Sequence, residues 1–229
     1  MRTASLLGLL QLADGLCPVG GFAHSFGLET YAQAGMLPDR AALEALLAAH
    51  LEGSAGPTDA VAAALAARHG AWMELEPIRE LDARLDATKC VSEWRDASRQ
   101  MGAQAARIGA AIADDLFVGE LGRAVAAGEM VGHHAVLFGA IAGRGGAEPE
   151  SVAAAYLHAT AALLVNAALR LASIGQLDGQ LALAAVRPRI ERLAVAAEAA
   201  DADDLWSFTP GLELAGWRHA RLEMRLFRS

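Results

Sequence analysis

Lysine is almost absent from this chain, in which Lys89 is the only one. A P-loop needs Gly-Lys-Ser/Thr directly after a strand, and no part of the sequence offers that combination, so nucleotide hydrolysis by that route is excluded. The only two cysteines, Cys17 and Cys90, stand far apart, and we expect reduced thiols instead of a disulfide framework or a zinc site. No run of 18 consecutive apolar residues occurs, so we expect no membrane-spanning segment.

Aromatic residues are also scarce, at 5% of the chain, although 54% of all residues are hydrophobic. Most of the hydrophobic fraction is alanine and leucine, which have high helix propensities, whereas the aromatic and β-branched residues that favour strands are few. The net charge of −8 argues against non-specific nucleic-acid binding, which needs a basic face. A chain of 229 residues is long enough to bury a core of its own.

The first ten residues are apolar in the manner of a signal peptide. Gln11 and Asp14 interrupt the pattern, and no small-residue cleavage site follows, so we expect this stretch to be the first helix of the fold. Because neither a leader nor a membrane span is expected, the predicted location is the cytoplasm.

Helix signals recur along the whole chain, and we find no convincing strand, linker or internal repeat. We therefore predict one compact all-α domain, residues 1–229, with about 8–11 helices. Glycine, proline and acidic clusters predict breaks at residues 53–57, 143–149 and 201–210. Helices are expected over residues 6–13, 24–34, 39–51, 59–68, 72–87, 94–112, 151–173, 176 onward with a kink or a new start at Pro188, and 212–226.

Two of these helices have informative patterns. Apolar residues recur at helical steps of three and four between Trp94 and Ile112, which predicts an amphipathic helix facing the core. Residues 151–173 are apolar almost all round, which indicates a central helix, but His158, Asn166 and Arg170 lie on one of its faces. A polar stripe on a buried helix needs partners, either within the chain or across a subunit interface.

No pattern in the sequence indicates catalysis or a dedicated metal site. His133 and His134 are adjacent, and neighbouring residues on a helix point about 100° apart, so both rings rarely reach one ion. Ser25 follows His24, but no acid that could orient the histidine is evident. Cys90 stands near a helix start, where the helix dipole could lower the pKa of the thiol, but Cys90 has no clear catalytic partner. We therefore predict that the chain is not an enzyme and has no cofactor of its own.

Two segments are candidate binding surfaces. The first is the turn, about residues 14–30, which reads PVGGFAHSFGLE over residues 18–29. Glycine supplies the backbone freedom that such a turn needs. The second is the tail, about residues 217–229, where four arginines against one glutamate leave a charge of +3 in an acidic protein. This charge indicates either a solvated terminal helix or a segment that docks on an acidic partner.

Four sequence blocks, taken together, resemble the urease accessory protein family UreF. Their order and spacing cover most of the chain, with a weak match over residues 53–87. The tail departs from the family pattern at Ala220, Glu223 and Met224, where Glu, Tyr and Ser are common, and Cys17 replaces an aliphatic residue. The blocks are residues 10–29 with the PVGGF turn, RDASRQMG at 95–102, HHAVLFG at 133–139 continuing through Tyr156-Leu157 to GQLDGQ at 175–180, and His219 with RLFRS at 225–229.

The resemblance implies an all-helical homodimer that serves urease maturation as a non-enzymatic scaffold. Proteins of this family bind the accessory protein UreH, also called UreD, and recruit the GTPase UreG, and the assembly delivers nickel to apo-urease. Nickel and GTP would then belong to the assembly and not to this chain. The residues that the resemblance carries over as partner-binding are Phe22, His24, Phe26, Glu29, His219, Arg225, Leu226, Phe227 and Arg228.

Within this set, the resemblance gives the turn and the tail different roles. The tail is expected to become ordered on meeting UreH/UreD, with Arg225 and Phe227 as anchors, since a flexible basic and aromatic segment can fold on binding. The turn, through Phe22, His24 and Phe26, is expected to contribute to the surface that the GTPase uses.

Two other functions remain open from the sequence. The chain has many arginines, one of which could act on the GTPase partner by stabilising transition-state charge, although no arginine is singled out by its spacing. Alternatively, His133, His134 or another histidine could make the chain a direct nickel carrier. A stand-alone hydrolase has no motif to support it.

Overall fold

The computed structural model describes residues 1–229 and contains helices but no strand, which confirms the all-α prediction. A π-helical segment, Leu51–Ala60, joins the third helix to the fourth, and short 3₁₀ turns occupy Gly21–Ala23 and Ala202–Asp204. The α-helices are α1 Thr3–Ala13, α2 Leu28–Gln33, α3 Arg40–His50, α4 Val61–Ala71, α5 Leu75–Thr88, α6 Ser92–Ala113, α7 Leu116–Ala126, α8 His134–Arg144, α9 Pro149–Leu171, α10 Gln176–Ala199 and α11 Pro210–His219.

The centre of the molecule is a contact between α4 and α8 that only small residues permit. Nearly all residues of both helices are buried. A Cβ atom added to Gly139 would lie 2.2 Å from the carbonyl oxygen of Ala63, and one added to Gly143 would lie 2.0 Å from that of Ala67. Because these positions lack side chains beyond a hydrogen, the two backbones can touch, and alanines of α4 lie at both contacts.

Helix α9 is the long apolar helix that the sequence predicts, and it packs against α4 and α10. Its length and composition are also those of a membrane span, but half of its most apolar stretch is buried inside the fold, as in the core helix of a globular protein. His158, Asn166 and Arg170 all lie on its exposed side, and of these only Arg170 makes a hydrogen bond within the chain.

The predicted break at residues 53–57 is wrong, because the chain continues helically through the π segment with a proline inside it. Its glycines serve tertiary packing. A Cβ at Gly53 would lie 2.8 Å from the carbonyl oxygen of Phe208, and a Cβ at Gly56 would lie 2.8 Å from the side chain of Leu193. The glycines that resemble helix breakers therefore mark places where other parts of the chain come close.

Several other helices also differ from the prediction. The second helix begins at Leu28 and not near residue 24, because Phe26 and Gly27 have left-handed backbone conformations with φ of 49° and 85°. The last helix ends at His219, so the segment to Leu226 is not helical. Helix α10 runs without interruption through Pro188, and α7 lies where we predicted no helix.

Replacing Gly139 with alanine is expected to destabilise the fold by about 3 kcal/mol, since the added methyl group meets the α4 backbone and one helix must move. The control is Gly8→Ala in α1, where a Cβ meets nothing within 4 Å and the free energy of unfolding should stay the same or rise by up to about 1 kcal/mol. Urea denaturation measures both. Equal stability of the two variants would contradict the close contact between α4 and α8.

Candidate partner-binding site

The tail folds back onto the turn, and we call their contact the junction, comprising residues 21–29 and 219–229. The main-chain oxygen of Ser229 accepts hydrogen bonds from the amides of Ser25 at 2.5 Å and Phe26 at 3.1 Å. The Ser25 hydroxyl donates to the same oxygen at 2.8 Å, and the His24 ring bonds the Ser229 hydroxyl at 2.8 Å. The Arg228 amide donates to the carbonyl of Ala23 at 2.8 Å. The end of the tail is therefore bound by the backbone of the turn.

The junction is centred on the buried carboxylate of Glu29, in the first turn of α2. Its oxygens accept hydrogen bonds from the amides of Leu226 at 2.7 Å and Phe227 at 3.1 Å, and Nε2 of His219 lies 3.0 Å away. Burial by itself raises the pKa of Glu29, but these hydrogen bonds outweigh it and hold the pKa below its ordinary value. The carboxylate is thus stabilised in its charged form by the tail itself.

The imidazole of His219 extends this network to α6. Its Nδ1 lies 2.8 Å from a carboxylate oxygen of Glu93, opposite its contact with Glu29. The other oxygen of Glu93 accepts a hydrogen bond from Arg225 at 2.9 Å. Since His219 is fully buried between two carboxylates, it links the start of α2, the start of α6 and the end of α11.

Arg170, near the end of α9, lies between two phenylalanine rings at the junction. Its guanidinium carbon is 4.5 Å from the ring centre of Phe22 in the turn and 4.3 Å from that of Phe227 in the tail. Nη1 also donates to the carbonyl oxygen of Phe22 at 3.1 Å. Stacking of this kind favours Arg over Lys, because the planar guanidinium can face a ring on each side.

The structure brings all nine predicted site residues into the junction, but it divides them by exposure. Four of them are buried and bind other parts of the same chain, and these are His24, Glu29, Phe227 and His219. Phe26 is half-buried, and four are exposed, namely Phe22, Arg225, Leu226 and Arg228. Phe227, which we predicted as an anchor for a partner, is only 4% exposed. The tail is seated on its own chain, so a partner must contact its outward face or follow its release.

Three residues were absent from the predicted site, namely Ser229 within the junction and Arg170 and Glu93, which contact it. Arg170 could have been suspected from the sequence, since it belongs to the polar stripe on α9 that requires hydrogen-bonding partners. Glu93 carried no such signal, because its contact with His219 spans more than 100 positions of the chain. Ser229 belongs to the RLFRS block, but its contact with His24 could not be read from that block. Their roles follow only from the three-dimensional arrangement.

The two adjacent histidines contact different residues. His133 is fully buried and hydrogen bonds Ser98 at 3.0 Å and Asp86 at 2.9 Å, which ties the start of α8 to α5 and α6. His134 lies instead against the rings of Phe138 and Tyr156. No three His, Cys, Asp or Glu side chains converge where they could hold a metal ion together.

The cysteines do not behave as the helix-start argument predicts. The pKa of the Cys90 thiol is raised, because partial burial and the nearby Glu213 carboxylate disfavour the thiolate. The pKa of Cys17 is raised as well, by burial and by Asp14. The helix start therefore does not lower the pKa of Cys90, and neither cysteine forms a disulfide.

Comparison with known proteins gives one consistent family. The UreF family model matches residues 37–187. Curated relatives called urease accessory protein UreF include those of Methylobacterium radiotolerans, 37% identical over all of both chains, and Arthrobacter sp. strain FB24, 34% identical over 97% of this chain and 96% of the relative. The relative from Bacillus sp. strain TB-90 is 32% identical over 98% of this chain and 99% of its own length.

The chain belongs to the UreF family. The family model stops short of both the turn and the tail, but the relatives align along nearly the whole chain, so the junction lies within the shared length. Membership makes the chain a urease accessory protein in the broad sense, and the residues that meet partners remain to be argued from the junction.

Substituting Glu29 with glutamine should release the tail of this UreF-family chain. The glutamine side chain has only one oxygen to accept the hydrogen bonds that two carboxylate oxygens accept from the amides of Leu226 and Phe227 and from His219. Its NH₂ group would face one of these donors, which should weaken the attachment of the tail by about 2 kcal/mol. Amide hydrogen exchange at Leu226 and Phe227 should then be about thirtyfold faster. The control is Glu223→Gln, an exposed position in the same tail. Unchanged exchange in Glu29→Gln would contradict the role of this carboxylate.

Acidification should destabilise the fold through two buried histidines. Burial lowers the pKa of both His50 and His134 to about 4. Below about pH 6.5 the unfolded chain takes up protons on these two rings, whereas the folded chain does not until the pH approaches 4. The free energy of unfolding therefore falls as the pH is lowered, and by pH 5 the fall is on the order of 2 kcal/mol for each ring.

Urea denaturation between pH 6.5 and pH 5 measures this dependence. The double substitution His50→Leu and His134→Leu should reduce the slope of stability against pH, although His24 and His133, whose pKa values are also lowered, keep part of it. The control is Asn166→Leu on the exposed side of α9, which removes no titratable group and should leave the slope as it is. An unchanged slope in the double variant would show that these rings are not buried as neutral groups.

Proposed function

We propose that this chain is a non-enzymatic scaffold in urease maturation that binds UreH/UreD and, with it, recruits the GTPase UreG for delivery of nickel to apo-urease. The observation that supports this most directly is the outward face of the junction. There the apolar side chains of Phe22, Met224 and Leu226 are 75%, 82% and 55% exposed, next to the exposed Arg225 and Arg228.

An exposed cluster of large apolar side chains with arginines has the composition of a protein–protein interface. Two sets of contacts support this face: the bonds from the buried Glu29 carboxylate to the tail amides, and the stacking of the exposed Arg170 on the rings of Phe22 and Phe227. A preorganised patch loses less conformational entropy on binding than a flexible tail would. The patch therefore fits a partner surface that is apolar at its centre and acidic at its rim.

Co-purification with UreH/UreD and then UreG, with mass measured by light scattering, tests the proposal. The full-length chain should form the complex, and a version lacking residues 222–229 should not. Because that truncation also exposes Glu29 and the site of Phe227, the decisive variant is Arg228→Glu, which changes an exposed charge and should weaken UreH/UreD binding by about tenfold or more.

The matched control is Arg187→Glu on α10, an exposed arginine away from the junction, which should bind as the unchanged chain does. Binding that is equal in Arg228→Glu and Arg187→Glu would place the interface elsewhere. A full-length chain that binds neither UreH/UreD nor UreG, when all three are folded, would contradict the scaffold function as a whole.

The proposal includes a homodimer that assembles in the cytoplasm, and the same light-scattering experiment measures the dimer. The two alternatives make different predictions. A regulator of GTP hydrolysis should change the turnover of purified UreG and lose that effect on one Arg→Ala substitution. A nickel carrier should bind nickel in calorimetry more tightly than about 10 μM, in the absence of the other proteins.

A further inference from the structure

Ionisable side chains form a line through the junction, with His219 in the middle. The ring of His219, at the end of α11, is fully buried, and its two nitrogens lie opposite carboxylates from different helices. Nε2 is 3.0 Å from an oxygen of Glu29 in α2, and Nδ1 is 2.8 Å from an oxygen of Glu93 in α6. The tail adds Arg225, which donates to the other oxygen of Glu93 at 2.9 Å. These are the charged groups that α2, α6 and the tail place at the ring or at its partners.

This geometry requires a proton at each of the two nitrogen–oxygen contacts. A carboxylate oxygen and an unprotonated ring nitrogen are both acceptors, and a neutral imidazole carries only one N–H group. Burial raises the pKa of Glu29, but its bonds to the tail amides and to His219 outweigh burial and hold the pKa below its ordinary value, so this carboxyl is charged and Nε2 carries the proton. The contact with Glu93 needs a second proton, on Nδ1. A doubly protonated ring donates at both contacts, and together with Arg225 it balances the two carboxylates.

Loss of the second proton would disrupt this arrangement. Nδ1 and a Glu93 oxygen would then be two acceptors facing each other across 2.8 Å, at a ring with no exposed surface. Buried acceptors without a donor are costly, because water cannot replace the missing bond. The loss also removes the positive charge from between the two carboxylates and leaves only Arg225 to compensate them. The contact of His219 with Glu93 therefore depends on the pH.

The tail is coupled to this ring in two ways. His219 is the last residue of α11, so a movement of its ring acts on the residues that directly follow. The same Glu29 oxygen that contacts Nε2 also accepts from the Phe227 amide, and the other oxygen accepts from the Leu226 amide. Because ring and tail share one carboxylate, a displaced ring disturbs the bonds that attach the tail to α2.

We propose that His219, with Glu29 and Glu93, is a proton-dependent switch that attaches the tail near pH 6 and loosens it as the pH rises toward 8.5. The sign follows from linkage, since the attached state holds a proton that the loosened state releases. It is opposite to the effect of the neutral buried rings of His50 and His134, whose stabilisation is lost on acidification. The switch belongs to the free chain, and only its consequence, weaker UreH/UreD binding at high pH, rests on the proposed function.

Amide hydrogen exchange of the free full-length chain at pH 6.0 and pH 8.5 tests the switch, with each rate divided by the intrinsic rate at that pH. Protection of the Leu226 and Phe227 amides should fall about tenfold or more between these pH values. The amide of Leu137, in the buried helix α8, should keep its protection. The ring nitrogen resonances of His219 should show an imidazolium at pH 6.0 and the loss of one proton over the same range in which the tail loosens.

The variant Glu93→Gln separates the switch from a merely structural contact. Its NH₂ group can donate to Nδ1 of a neutral ring while its oxygen accepts from Arg225, so the tail should stay protected at both pH values. The matched control is His69→Gln, which removes a histidine paired with Glu74 away from the junction and should keep the tenfold fall.

Three results would overturn the proposal: equal protection at both pH values in the unchanged chain, a His219 ring that is already neutral at pH 6.0, or a fall that persists in Glu93→Gln. If Glu93→Gln fails to fold, the exchange and the His219 resonances of the unchanged chain still decide. No partner takes part in these measurements, so their failure would leave the scaffold function untouched.

Discussion

The carboxylate of Glu29 is the group on which the arrangement of the turn and the tail depends. A buried carboxylate is costly unless it is hydrogen bonded, and in this chain the donors come from about 190 residues away, on His219 and the amides of Leu226 and Phe227. Satisfying this one group therefore fixes the two ends of the chain against each other. Once they are fixed, Phe227 can cover Arg170, and Ser229 can bind the backbone of the turn.

The helical core supports this junction through rigidity. The contact of α4 with α8 leaves no room for a side chain at Gly139 or Gly143, and α9 lies against the same core while carrying Arg170 to the surface. Because Arg170 projects from a helix that the core immobilises, the two phenylalanine rings it contacts have a fixed support. The exposed patch of Phe22, Leu226 and Arg228 is thus held in place from below, which suits a protein whose proposed work is to bind other proteins.

The sequence was sufficient for the parts of the fold that depend on local patterns. The stripe that begins at Trp94 is buried as predicted from Trp94 through Ala105, although Ile112 at its far end is 52% exposed. Local reasoning failed where distant residues decide the conformation. Gly53 resembles a helix breaker but makes room for Phe208, and the segment after His219 leaves the helix because its amides bind Glu29.

The candidate site could be predicted only in part, for the same reason. The resemblance to the UreF family selected the residues, and the structure shows that they lie together. Which of them face outward could not be read from the sequence, because the burial of His24 and Phe227 results from contacts between the turn and the tail. Similarly, an arginine on α9 is recognisable as polar, but its place between two rings depends on where both ends of the chain lie.

In the proposed function, the turn and the tail form one unit whose outward face meets the partner. The most direct measurement is of nuclear Overhauser contacts from the Phe227 ring to Arg170, and from the Ser229 hydrogens to the Ser25 amide, in the free chain and after addition of UreH/UreD. These contacts should be present in both states, while the resonances of Phe22, Leu226 and Arg228 should shift on binding. Contacts that are absent from the free chain, or that disappear when the Phe227 ring enters the partner, would contradict this arrangement.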